Sequence, residues 1–156
     1  MIDLSARPID AAALAPFARV LDGPHGTLVP EVLEPGTVPG APALTLLHPT
    51  ASAEPPVITF LERHPHSAQT FLPLSVGRWL VAVAPTGTDG LPDLGGLLAF
   101  HAGPGDAICI ARDVWHAPLT VLDRPARFAM LMWKSATGTD GVVHRLPGPL
   151  RLSLTG

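Results

Sequence analysis

Between Glu62 and Gln69 the chain reads Glu-Arg-His-Pro-His-Ser-Ala-Gln, its densest run of side chains able to move protons or hold a metal ion. Imidazole titrates near neutrality, and a carboxylate beside it can orient it or work with it as an acid/base pair; Glu62 and His64 are candidates for such a pair. His64 and His66, two positions apart on an extended chain, can also both reach one metal ion. The apolar run VITFL precedes the cluster. Strand alternation puts Phe60, Glu62 and His64 on one face and Thr59, Leu61 and Arg63 on the other. Pro65 biases His64 towards extended backbone, which carries the alternation to the end of the run. A solvated strand end with a chance cluster of polar residues would show the same pattern.

A second constellation is Gly103-Pro104-Gly105-Asp106, a strong turn signal, followed by ICIARDV and then Trp115-His116-Ala117-Pro118. His116 is open to three roles: ligand, acid/base group or structural hydrogen bonder. In the third, Met130, Met132 and Lys134 share a strand face, and a lysine ending a buried strand can receive an anionic substrate or lie as a snorkelling edge residue. Cys109, between Ile108 and Ile110, reads as a buried inert thiol. His48 and His101 end candidate strands. The chain contains no GxSxG elbow, P-loop or GxGxxG.

The elements that must hold these residues are short strands. Of 156 residues, 47% are hydrophobic and 15% charged, a balance that excludes disorder and allows a real core. Gly and Pro number 15 and 19, spread between apolar runs, which points to many turns rather than long helices. The candidate strands are 43–48, 57–63, 69–73, 78–84, 97–101, 106–111, 117–122, 127–133 and 149–154, a spacing that suits a sandwich or small barrel. Residues 9–20 are the best helix candidate, with Asp10 as cap and Pro16 limiting its length. Residues 21–42 read as loop, and 84–97 as a long turn-rich excursion between strands. The chain is expected to form one domain over 1–156, with a helix and loop to about residue 42 and a barrel from 43 onward.

A formal charge of −3 excludes the basic face that nucleic acid binding needs. One cysteine excludes an internal disulfide and a cysteine-based zinc cluster. No apolar run is long enough to span a bilayer, the first residues do not form a convincing signal peptide, and a cytoplasmic location is the default expectation.

The two histidine-bearing blocks resemble the two motifs of the cupin barrel, a double-stranded β-helix or jelly roll. His64-x-His66 with Gly77 stands for the first motif, and Gly103-Pro104-Gly105 with His116 for the second. The glutamate expected after a gap of three to four residues from the histidine pair is absent, since Thr70 and Phe71 occupy those places and Gln69 is the nearest polar residue. More specifically, LERHPHSAQTFLPL, WLVAVAP, PDLGGLLAF and RDVWHAPL are similar to the ureidoglycolate lyase family, from about residue 57 to 134. That resemblance implies a mainly β, cupin-like barrel with a short N-terminal helix, usually dimeric. It implies cleavage of (S)-ureidoglycolate to glyoxylate and urea in allantoin breakdown, with a divalent ion, nickel among the candidates.

Ureidoglycolate carries hydroxyl, carboxylate and the urea nitrogen on one carbon. Its cleavage needs a base for the hydroxyl proton, an acid for the departing nitrogen and a cation or donors on the carboxylate. Glu62, His64 and His116 are the candidates for proton transfer, and burial of Glu62 would improve it for that role. Lys134 or Arg63 would hold the carboxylate, alternation favouring Lys134, and Gln69 would bind the urea amide. His64, His66 and His116 are the candidate metal ligands. A small-ligand-binding cupin without turnover, a metal cupin of other chemistry, and a ureidoglycolate amidohydrolase releasing ammonia are the competing readings.

Overall fold

The computed structural model describes residues 2–156. Twelve strands dominate: β1 (Ile2–Pro8), β2 (Ala18–Val20), β3 (Gly40–Leu47), β4 (Val57–Arg63), β5 (Gln69–Ser75), β6 (Trp79–Ala84), β7 (Leu98–Ala102), β8 (Ile108–Ile110), β9 (Trp115–His116), β10 (Thr120–Val121), β11 (Arg127–Ser135) and β12 (Val142–Leu154). The only α-helix among the described residues is α1 (Ala11–Leu14).

The strands form two sheets. The larger runs β10-β6-β7-β1-β12-β4-β9 and closes on itself, because β9 also pairs with β6. The smaller runs β2-β8-β5-β11-β3. Alternation along β6 divides the core in two. Trp79, Val81 and Val83 meet Phe71, Ile108, Phe128 and Met130 of the small sheet. Leu80, Ala82 and Ala84 point the other way, into the closed large sheet, with Leu61, Trp115, Leu150 and Leu152. A strand buried on both faces reads as an unbroken apolar run, and WLVAVA is buried at every position. The mainly β, cupin-like barrel with one short helix is therefore the observed architecture.

The N-terminal region departs from the expected plan. The helix expected over 9–20 is only Ala11–Leu14, capped by the Asp10 carboxylate, which accepts from the Ala12 and Ala13 amides at 3.1 Å each. Pro16 cannot continue the helix, and Ala18–Val20 pairs instead with β8. Residues 2–8, expected outside the barrel, lie parallel between β12 and β7. Only Ala6 of that strand is fully buried, so its sequence shows little apolar alternation. β12 begins at Val142, earlier than the expected 149, and its register against β4 shifts between Arg145 and Leu150, around Pro147 and Pro149. The 84–97 excursion is tied internally: the Gly87 amide donates to the Leu91 carbonyl, and the Asp93 amide to Pro85. No helix among the described residues is long and apolar enough to cross a membrane.

Candidate active site

Strand register builds the site. Glu62 of β4 and Val83 of β6 both pair with His116 of β9. Residues paired across strands share a face, and Val83 belongs to the core between the sheets, so Glu62 and His116 point into that space. His64 follows two residues after Glu62 and lies on the same side, its ring centroid 5.2 Å from that of His116. Gln69 of β5 pairs with Ile110 and Met132, both in the same core, and so faces His116 from the opposite sheet. Expected alternation is thus what brings the group together. Arg63 goes to the other face, its guanidinium 4.7 Å from the Trp115 ring centroid and paired with Asp113 at 3.4 Å.

Ligand-capable atoms of Glu62, His64 and His116 all lie within 4.8 Å of one another. Backbone carbonyls fix both rings. His64 Nδ1 donates to the Asp140 carbonyl at 2.8 Å, and His116 Nδ1 to the Val114 carbonyl at 2.8 Å. Each neutral ring then presents an Nε2 lone pair, the tautomer that a carbonyl on the opposite nitrogen selects. His64 Nε2 is buried and has no hydrogen-bond partner. The Gln69 side-chain amide lies 3.0 Å from His116 Nε2. With Nδ1–H spent on Val114, the ring is an acceptor at Nε2, so the amide must turn its NH2 there. Glu62 Oε1 is 3.8 Å from His116 Nε2, and its side chain is 25% exposed, so the deep burial that would favour it as an acid is not met.

Burial is the main cause that lowers the His116 pKa from 6.5 to about 4; the Val114 carbonyl opposes this and the neighbouring His64 adds to it. His116 is therefore neutral near pH 7 and available as a base or ligand, not as a resting acid. Between about pH 6.5 and 4 the unfolded chain binds a proton here that the folded chain does not. Stability should thus rise with pH across that window and be fully gained above it, by roughly 3 kcal/mol. Thermal melts from pH 4 to 7 read this slope. His116→Asn should flatten it, and an unchanged slope would remove His116 as its source.

The other expected site residues fall apart into two sets. Lys134 stands on the same β11 face as Met130 and Met132, beyond the core, with Nζ 3.9 Å from Asp140 Oδ2. His66 is outside the cluster: its Nδ1 bonds the Thr37 hydroxyl at 2.7 Å, and Glu62 occupies the third place expected for it among the ligand-capable residues. Val114 and Asp140, which orient the rings, were not among the candidates; they act through backbone carbonyls, which residue type does not reveal. A surface cleft of about 280 Å³ is lined by Ala18, Arg19, Cys109 and Arg112 and contains no member of the triad. Geometry, not cleft size, selects the site.

Two imidazole nitrogens and a carboxylate oxygen are a donor set suited to a divalent transition ion, and the unpartnered buried His64 Nε2 fits a ligand role. The same lone pairs are equally suited to accepting protons from a small polar substrate.

A provisionally named ureidoglycolate lyase of Agrobacterium fabrum is 35% identical over 99% of this chain and 98% of its own. The ureidoglycolate lyase of Rhodobacter capsulatus is 32% identical over 94% of this chain and 96% of its own, and that of Mesorhizobium japonicum 32% over 84% and 86%. The family model for ureidoglycolate lyase matches residues 29–152, a span that takes in Glu62, His64, Gln69, His116 and Lys134, and the chain belongs to the ureidoglycolate lyase family.

Proposed function

We propose that this chain is a ureidoglycolate lyase, splitting (S)-ureidoglycolate into glyoxylate and urea. The observation that carries the reading is the convergence of Glu62, His64 and His116 between the sheets of a chain in this family. The His64 imidazole, with Nδ1–H held by the Asp140 carbonyl, takes the substrate's hydroxyl proton at Nε2. The carbonyl of glyoxylate forms as the carbon–nitrogen bond breaks, and the nitrogen leaves as urea once protonated. No water is consumed. The proton that His64 takes is the one the departing nitrogen needs: His116, neutral at rest, receives it and hands it to that nitrogen, and Glu62, 3.8 Å away, stabilises the imidazolium while it exists, so one proton leaves oxygen and one reaches nitrogen. Gln69 orients His116 and offers its remaining amide atoms to the urea group.

Lys134 is the cation on this face and is assigned to the substrate carboxylate, since Arg63 is stacked on the opposite face. Lys134→Ala should raise KM about tenfold with a smaller change in kcat, as expected when a charge-assisted hydrogen bond to the substrate is lost. A fall in kcat at constant KM would reassign Lys134 to the chemical step.

Glu62, His64 and His116 would hold a divalent ion, with nickel the candidate. When bound, the ion would supply Lewis acidity to the substrate's hydroxyl or carboxylate. A lone pair that binds an ion cannot take a proton at the same time. Glyoxylate release with and without chelator therefore separates the two uses. The chain is proposed to act as one domain, in the cytoplasm and as a homodimer. Leu44, Leu46 and Leu74, exposed on the small sheet, are the apolar surface a second copy would cover. Sedimentation giving only the monomer mass would remove the dimer.

Turnover of racemic ureidoglycolate by the purified protein tests the function. Glyoxylate formed faster than the spontaneous rate supports it. Binding without turnover, with added divalent ions, would replace it by a ligand-binding cupin.

A further inference from the structure

The turn joining β11 to β12 lies against His64 and is held by the side chains of Asp140 and Ser135. The Asp140 carboxylate accepts from the Ser135 amide at 2.6 Å, across the base of the turn. Its other oxygen is 3.9 Å from Lys134 Nζ. The Ser135 hydroxyl accepts from the Thr139 amide at 3.1 Å, and Gly138 takes a left-handed φ of 75° that lets the chain reverse. The backbone carbonyl of Asp140 then receives the His64 Nδ1–H at 2.8 Å. Gly141 passes so close that a Cβ there would lie 3.4 Å from His64 Nδ1. Hydrogen bonding to the Ser135 amide, with smaller contributions from Lys134 and His64, holds the Asp140 carboxyl below its usual range, opposed by some burial.

We propose that Asp140 is a positioning residue for His64: its carboxylate clamps the turn through the Ser135 amide, so that its own carbonyl fixes the His64 ring in the Nδ1–H tautomer with Nε2 directed at Glu62 and His116. One residue thereby links the conformation of an exposed turn to the orientation of a part-buried imidazole. What matters is an acceptor oxygen at the right reach, not the negative charge. The catalytic consequence rests on the lyase reading, whereas the tautomer does not.

Three variants test it. Asp140→Ala removes the clamp, and loss of a partner that orients a site histidine typically costs about 10- to 100-fold in activity or affinity. Its kcat should fall by about that factor with KM little changed. Asp140→Asn keeps an acceptor for the Ser135 amide and should restore kcat to within about threefold, although the charge opposite Lys134 is gone. Nitrogen-resolved NMR of the histidine rings, recorded over a pH series, should show the Nδ1–H tautomer of His64 in the wild type and Asp140→Asn, and a mixture in Asp140→Ala. In a His64→Ala background, Asp140→Ala should cost nothing further. If Asp140→Ala does not fold, Asp140→Ser, too short to reach the Ser135 amide, serves in its place.

An unchanged tautomer in Asp140→Ala would overturn the proposal. So would equal losses in Asp140→Ala and Asp140→Asn, which would make the charge the cause. Tautomers that change as expected in a protein that turns over no ureidoglycolate would sustain the positioning role and sink the lyase reading alone.

Discussion

His64→Ala should lower kcat for ureidoglycolate cleavage about a thousandfold, with the protein still folded. A positioned base contributes about 10²- to 10⁴-fold, and His64 is the site residue with a buried, unpartnered lone pair. With its Nδ1–H given to a fixed carbonyl, Nε2 is the nitrogen left to serve beside Glu62 and His116. The side chain is only part-buried, and its ring adds little to either apolar core, so its removal should not unfold the barrel. Steady-state kinetics with glyoxylate as the readout, alongside a thermal melt, measures both. A variant within tenfold of wild type would take His64 out of the chemistry.

Glu62→Gln should reduce kcat about a hundredfold. The amide keeps the shape of the side chain and removes only its charge and proton-accepting capacity. Glu62 stands 3.8 Å from His116 Nε2, where a carboxylate stabilises an imidazolium formed during the reaction and an amide does so far less well. Because His116 is neutral at rest, this benefit arises mainly as the reaction proceeds, so kcat should fall more than KM rises. If Glu62 holds a divalent ion, nickel affinity measured by titration should fall in the same variant. Full activity together with unchanged nickel binding would leave Glu62 with no role in either.

The site was more legible in the sequence than the frame around it. Alternation through VITFLER, with Pro65 extending it, placed Glu62 and His64 on one face and Arg63 on the other, and the structure keeps that division. What alternation cannot give is the partner across the sheets: Gln69 meets His116 because β5 and β9 belong to different sheets that pack together. His-x-His spacing suggested His66 as a ligand. Pro65 and the turn that follows it direct His66 to Thr37 instead. The strand β1 was hidden because only Ala6 is fully buried and its parallel neighbours, β7 and β12, come from the far end of the chain. The start of β12 was masked by Pro147 and Pro149, which the chain accommodates with a register shift. The carbonyls of Val114 and Asp140 carry no side-chain signal at all.

The most direct test is the ratio of nitrogen products from racemic ureidoglycolate, with urea and ammonia measured separately against the spontaneous rate. Lyase chemistry at Glu62, His64 and His116 requires one urea per glyoxylate, no enzyme-dependent ammonia, and consumption of only half the racemate at the catalysed rate. Ammonia released in step with turnover would instead mean hydrolysis of the amide, and the site would have to be reassigned to that chemistry.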